Sequence, residues 1–518
     1  MRSPFWFPAV AAGLFLTQLL AHAEQPASAA TVAGMTPALE AYVASLQQRE
    51  EIPGLAIVIT DRNRVLYRKG FGVRDLARPE PVTPDTVFQI GSATKSFLAT
   101  TVAVAVDAGK LAWNTPLVER HPSFRLQDPL LTRQASLEDV MSHGVGLQPY
   151  LFDDMIFLGY DAPARLQAVA HAPLTGQFRR SMQYVNLLHP LVGQIAADAM
   201  GKADWNTLLT EQIFKPLQMA SSSVTRDGLL NAPNHAAPHQ HIDGRLQRMD
   251  LVGNYWYQDG VGPAGSMNTS ANDMGQWLRL QLGRGEVDGK RLVSVANMDE
   301  TWRPRTMMTP TEGSALGWGV AYTPRGRMVA HEGGTASYGA AMVLLPDVAP
   351  GGIGIAVLSN HSQEGAPIAI ARWIADRVWG MPERDYRADF KRAAVPAGPV
   401  TAPQAVQPPA AAYVGTYESP TLGRVVVEQS EAGLAGGQGA FLVMRLAQVG
   451  ARLRLVAVGD HAFSAEVLPQ GRFRELVVEG FTPIYSVRFA LGADGKATGA
   501  QAVNPQGSRH DLVKSVVR

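Results

Sequence analysis

The sequence contains no cysteine. That absence excludes disulfides, a thiol nucleophile, cysteine metal centres and a lipid-modified N-terminal cysteine. A fold held without disulfides must rest on core packing, which 518 residues permit. Charge of either sign is sparse and balanced: 46 Lys and Arg against 45 Asp and Glu leave a formal net charge of +1. No long basic or acidic run occurs, so neither a nucleic-acid footprint nor a polybasic membrane patch is expected. Three familiar fingerprints are also missing. Without Gly-x-Ser-x-Gly there is no α/β-hydrolase nucleophile elbow. No P-loop and no Rossmann fingerprint occurs, so no nucleotide-phosphate cradle is expected.

What is present begins with an export pattern. Arg2 precedes an apolar run from Phe5 to about Leu20, and Ala21-His22-Ala23 offers the small residues a signal peptidase reads. Cleavage after Ala23 is expected, leaving no membrane anchor and a periplasmic or secreted protein; the run is marginal for spanning a bilayer. The small, polar stretch Glu24 to Gly34 reads as disordered. A helix is expected from Thr36-Pro37 to Arg49, followed by a hairpin of Leu55–Thr60 and Val65–Gly70 about an Asp61-Arg62-Asn63 turn.

Ser92 to Ala108 is apolar almost all round and stops at Gly109, which predicts a buried helix. Leu188 to Met200, followed by Gly201, predicts another. Strand patterns return at Met328–His331, Gly339–Leu345 and Gly354–Leu358, and Ile368–Trp379 reads as a closing helix. A sheet assembled from both ends of a domain around a helical middle is an α+β layout.

Val395 to Ala412 is rich in Pro and Ala and reads as a stiff linker, with a long surface loop as the alternative. Beyond it, Arg424–Glu428, Phe441–Leu446, Leu453–Val458, Phe463–Leu468, Glu475–Glu479 and Tyr485–Leu491 are short β-runs, the pattern of a small antiparallel barrel or sandwich. The expected organisation is a signal peptide over residues 1–23, a catalytic domain over 35–393, a linker over 394–412 and a β-barrel-like domain over 413–518.

Three motifs can carry chemistry. Ser92-Ala-Thr-Lys95 opens the first buried helix. Residues three apart share a helix face, so the Lys amine can sit beside the Ser hydroxyl, which is a weak nucleophile until a base takes its proton. The helix N-terminus also favours a developing alkoxide. Tyr184-Val-Asn186 is the second: a phenol near a cation can act as base and acid, and the amide can orient a substrate. His331-Glu332-Gly333-Gly334, on a strand entering a Gly-rich turn, is the third. The imidazole can share protons, and the glycines admit a ligand close to the backbone. No second His follows at helical spacing, so no metal site is expected there. His143, in Ser142-His-Gly-Val-Gly146, could be a triad base, but a turn role is preferred because no acid orients it.

In this order the motifs resemble the serine β-lactamase and penicillin-binding family, in the branch with class C β-lactamases, D-alanyl-D-alanine carboxypeptidases, D-aminopeptidases and esterases. Val87-Phe-Gln-Ile-Gly-Ser-Ala-Thr-Lys-Ser96, Ser136-Leu-Glu-Asp-Val-Met-Ser-His143 with Gly146-Leu147, Pro263-Ala-Gly-Ser-Met-Asn-Thr-Ser270 with Asp273, and Gly317-Trp-Gly319 carry it, over roughly Met35 to Pro382. The resemblance implies a β-lactamase/transpeptidase-like α+β fold and an acyl-enzyme on Ser92. Lys95 and Tyr184 would share its proton, and His331 would stand where many relatives carry Lys. Asn186, Gly333 and Gly334 would hold substrate. The N–H groups of Ser92 and Gly334 would form an oxyanion hole, each worth about 3–4 kcal/mol of barrier. No cofactor is implied.

One departure bears on substrate. Glu332 stands where β-lactamases and carboxypeptidases typically place Thr or Ser, and facing the cleft it would repel a carboxylate; strand alternation can turn it outward instead. The reading is an exported serine hydrolase of a small amide or ester, such as a short peptide. The alternatives are a β-lactamase or D-alanyl-D-alanine carboxypeptidase, and a non-turnover penicillin-binding sensor. The C-terminal module resembles the lipocalin-like extension of some relatives. The oligomeric state is not legible in the sequence.

Overall fold

The computed structural model describes residues 28–242, 244–249, 258–335, 337–361, 365–386, 409–430, 441–478 and 482–515. The expected signal peptide and most of the expected linker lie outside these residues.

The first helix, α1 (Ser28–Glu50), begins earlier than the sequence pattern predicts and includes much of the stretch read as disordered. Val32, Met35, Leu39, Tyr42, Val43 and Leu46 recur at helical spacing and are buried, so packing organises a stretch whose composition alone looks unstructured. The hairpin follows as expected, with β1 (Gly54–Thr60) and β2 (Val65–Gly72). The helix α2 (Thr94–Asp107) continues a single 3-10 turn over Gly91–Ala93. Next come α3 (Asp153–Leu158), α4 (His189–Ala199) and α5 (Ala271–Leu282).

The sheet is completed by β3 (Thr306–Thr309), β4 (Glu312–Ser314), β5 (Gly319–Thr323), β6 (Gly326–Gly334), β7 (Gly339–Leu345) and β8 (Ile353–Ser359). The closing helix is α6 (Gly365–Val378). Strand order is β2-β1-β8-β7-β6-β5-β4-β3, and every pairing is antiparallel.

Both faces of this sheet are covered. Leu55, Ile57 and Ile59 of β1, with Val343 and Leu345 of β7, pack against α1 and α6. Ala56 and Val58, with Met342 and Leu344, face the second core shared with α2 and α5. Successive strand residues point to opposite faces, so strands buried on both sides are apolar throughout. Inside the second core, Phe97 of α2 stacks on Trp277 of α5, with ring centroids 3.6 Å apart.

The C-terminal unit is a closed antiparallel barrel of β9 (Gly415–Ser419), β10 (Gly423–Gln429), β11 (Leu442–Leu446), β12 (Ala451–Gly459), β13 (Ala462–Val467), β14 (Tyr485–Leu491), β15 (Ala497–Val503) and β16 (Arg509–Lys514). Pairing of Tyr417 with Lys514 and Glu418 with Val513 closes it. Arg474–Val478, within the run read as a strand over Glu475–Glu479, is instead a short helix. Leu476 is fully buried there, and short apolar runs do not distinguish strand from helix by periodicity.

Candidate active site

The nucleophile turn is built by two short pairings. Phe88 and Gln89 pair with Thr269 and Asn268. Ile90 N–H donates to the Met267 carbonyl at 3.0 Å, and Thr94 Oγ1 accepts from Met267 N–H at 3.2 Å. This is why the Pro263–Ser270 segment matters to Ser92: it runs alongside the turn that presents it.

Ser92 is partly exposed at the helix entrance, while Lys95 is fully buried. Lys95 Nζ donates to Ser92 Oγ at 3.0 Å and to the Ala264 carbonyl at 2.6 Å. It also lies 4.8 Å from the centre of the Tyr184 ring. Burial lowers the Lys95 amine to about 7, although the carboxylate of Asp153 opposes the shift. An amine that is about half neutral near pH 7 can accept the Ser92 proton.

Tyr184 is fixed from several sides. Its carbonyl accepts the Tyr150 N–H at 2.7 Å. Its ring lies 4.2 Å from that of His143 and 5.4 Å from that of Tyr150. His143 Nδ1 accepts the Val185 N–H at 3.2 Å. The structure therefore places His143 as a support of the second motif, in keeping with the turn role expected for it. Burial holds the His143 and His189 imidazoles well below their ordinary value, helped by the charge on Lys95.

Asn186 Nδ2 donates to Asp153 Oδ2 at 2.8 Å, and its Oδ1 is buried with no partner among the described residues. Because an ionised carboxylate only accepts, Asp153 decides which end of the amide faces it. Burial raises the Asp153 carboxyl to about 6, with the Asn186 bond and Lys95 pulling the other way.

His331 reaches the site from β6. Its Nδ1 donates to the neighbouring Glu332 carbonyl at 2.5 Å, leaving Nε2 as the acceptor. Burial, then the Lys95 charge, lower it to about 3, so it is neutral through the physiological range. Gly333 shows why the motif needs glycine: a Cβ there would lie 1.7 Å from the Ile90 carbonyl oxygen. Gly91, at φ +49°, faces Gly334 across the same contact, where a Cβ would lie 2.8 Å from Gly334 N. The end of β6 thus touches the backbone of the nucleophile turn.

Glu332 does not share this face. With Met328 and Ala330 it lies against Ile368, Ala371 and Arg372 of α6, on the far side of the sheet from His331. Strand alternation has turned it out of the cleft.

All seven residues singled out from the sequence fall on segments meeting around Ser92: Lys95 by direct contact, Tyr184 and His331 through Lys95, Asn186 through Asp153, and Gly333 and Gly334 through backbone. Sequence reasoning missed Asp153 and the Ala264 carbonyl. The signal for the first was there, as two adjacent acids interrupt the apolar stretch Tyr150–Leu158. A backbone carbonyl leaves no such trace. Among the described residues no group of three or more His, Asp or Glu is placed to hold a metal ion, and no helix is long and apolar enough to cross a membrane.

The chain is 26% identical over 379 residues to the Unguisins hydrolase ungD' of Aspergillus campestris, covering 66% of this chain and 65% of that protein. It is 23% identical over 330 residues to Protein flp of Staphylococcus aureus, covering 62% of each. It therefore spans just under two thirds of the length of these curated relatives. In fold it is similar to the octameric penicillin-binding protein homologue from Pyrococcus abyssi, with TM-score 0.59, 19% identity, 92% of this chain and 100% of that one. It is also similar to a class C beta lactamase from Rhodobacter sphaeroides, with TM-score 0.54, 21% identity, 65% of this chain and 97% of that one. The profile of the Beta-lactamase family matches residues 39–378, the stretch from α1 through α6 that holds every residue of the site. This chain belongs to the Beta-lactamase family.

Proposed function

We propose that the protein is an exported serine hydrolase that opens a small amide or ester, such as a short peptide, through an acyl-enzyme on Ser92. The observation that carries this reading is the buried Lys95 amine 3.0 Å from Ser92 Oγ, lowered to about 7. In the reaction, neutral Lys95 takes the Ser92 proton as Oγ attacks the substrate carbonyl. The oxyanion that forms lies between the backbone N–H groups of Ser92 and Gly334. Lys95, with Tyr184 beside it, returns the proton to the leaving amine or alcohol as the carbonyl bond to it breaks. Asn186, oriented by Asp153, holds the substrate's polar flank. Water then attacks the acyl-enzyme, giving up a proton to the same groups, and Ser92 is regenerated. The names of the Unguisins hydrolase and the class C beta lactamase above agree with hydrolysis as the class of reaction.

A β-lactamase or D-alanyl-D-alanine carboxypeptidase activity is the second reading. One observation favours it: Glu332 faces α6 and does not repel a substrate carboxylate from the cleft. Export rests on the N-terminal pattern around Arg2 and Ala23. The partner is a small molecule or short peptide, and no nucleic acid is involved.

The test is intact-protein mass after brief exposure of wild type and Ser92→Ala to a fluorophosphonate and to a penicillin. A single fluorophosphonate adduct, lost in Ser92→Ala, is expected. Penicillin turned over without accumulation would move the assignment to a β-lactamase. A persistent penicillin adduct would move it to a carboxypeptidase or a non-turnover sensor. No adduct with either reagent on folded protein would overturn the hydrolase reading.

A further inference from the structure

Asp154 follows Asp153 in α3 but points the other way, into the barrel, and is almost fully buried. Three barrel side chains donate to its carboxylate: Tyr485 Oη at 2.6 Å, Asn504 Nδ2 at 2.6 Å and His510 Nε2 at 3.1 Å. His510 Nδ1 in turn lies 2.8 Å from Thr421 Oγ1, whose hydroxyl can donate to it. The same barrel hairpin, between β15 and β16, makes two further contacts with the segment before α3. Ser508 Oγ accepts the Phe152 N–H at 3.1 Å, and the Gln506 carbonyl accepts Gln148 Nε2 at 2.8 Å.

This gripped segment is bent in an unusual way. Tyr150 and Phe152 sit at φ +56° and +53°, the left-handed region that bulky residues enter only when their surroundings hold them. It is also the segment whose Tyr150 N–H bonds the Tyr184 carbonyl and whose Asp153 bonds Asn186. An unbroken chain of contacts therefore runs from the barrel to both residues of the second motif.

We infer that the barrel hairpin Val503–Arg509, with His510 and Tyr485, is a positioning device of the active site: by holding Asp154 it fixes the 148–154 segment, and through that segment the placement of Tyr184 and Asn186. Asp154 is a positioning residue in this scheme, since it touches neither substrate nor Ser92. The inference rests on the serine-hydrolase reading above.

Full-length variants test it through the second-order rate at which a fluorophosphonate labels Ser92 at 25 °C, with thermal unfolding followed in parallel. Asn504→Ala with His510→Ala removes two of the three donors. Small displacements of catalytic groups cost about ten- to a hundredfold in rate, and a loss in that range is expected while the protein stays folded. His510→Gln beside an intact Asn504 keeps a donor near the Nε2 position and should restore most of the rate. Tyr413→Phe, which removes the Tyr413–His461 contact elsewhere in the barrel, should label like wild type. Should the double variant not fold, Tyr485→Phe removes one hydroxyl alone, and a several-fold loss is expected. Clamp variants that label at the wild-type rate would overturn the inference. So would a Tyr413→Phe loss as large as that of the double variant, because general loosening of the barrel would then suffice. Absence of labelling in wild type would instead strike the hydrolase reading itself.

Discussion

If Lys95 is the base for Ser92, the rate of Ser92 modification must follow the protonation of a buried amine. Burial moves that amine from its ordinary 10.5 to about 7, which corresponds to about 5 kcal/mol in favour of the neutral form. At pH 7.5 roughly three quarters of the molecules would then carry neutral Lys95, against roughly one in a thousand for an exposed lysine. Neutral amine is the reactive form, so the rate rises with pH. It should climb about tenfold per unit below the midpoint, reach half its maximum near pH 7 and level off above.

The neighbouring histidines add no step to this profile. His331, lowered by burial to about 3, stays neutral across the range, and burial also holds His143 and His189 well below their ordinary value. Asp153, ionised above about 6, is the carboxylate that acts on Lys95 among the described residues. Asp153→Asn removes a charge that favours the ammonium, so the midpoint should move to lower pH. The assay is fluorophosphonate labelling of Ser92 from pH 5.5 to 9.5, read by intact mass, with folding checked at each pH. A flat profile, or a midpoint near 10, would refute the assignment of Lys95 as base.

Two substitutions probe the third motif from its two faces. Gly333→Ala forces a Cβ into the Ile90 carbonyl. It should cost about 1–3 kcal/mol of stability by denaturant titration, as overpacking does, and should abolish labelling because the strand end must withdraw from Ser92. Glu332→Thr, which alters the face toward α6, should leave kcat/KM on any turned-over ester or β-lactam within about twofold. A marked gain for carboxylate-bearing substrates alone would show that this side chain reaches the cleft after all.

The parts of the site that were legible in the sequence are local. Ser92 and Lys95 lie one helical turn apart, and His331 and the two glycines sit on one strand, so spacing alone places each group. What could not be read is what those groups meet. The 4.8 Å approach of Lys95 to Tyr184 and the bond from Asn186 to Asp153 join residues far apart in the chain, and no local pattern encodes them. The fold divides similarly. Doubly buried strands such as β1 and β7 are continuous apolar runs and were visible. Thr306–Thr309 at the sheet edge and Glu312–Ser314 beside it are only four and three residues long, and escaped notice. In the barrel, Ala497–Val503 is rich in Ala, Gly and Thr, and its burial alternates weakly. Arg474–Val478 shows the opposite failure, since β-branched residues there occupy a helix because Leu476 finds its burial that way.

The pairing of β1 with β8 has a consequence for how the chain is made. Leu55 lies opposite Ser359 and Thr60 opposite Gly354, so the apolar strand near the N-terminus waits for nearly the whole catalytic domain before its central neighbour exists. Contacts so distant in sequence make folding slow and leave apolar surface unsheltered during synthesis. The nascent chain therefore cannot close its sheet behind the ribosome.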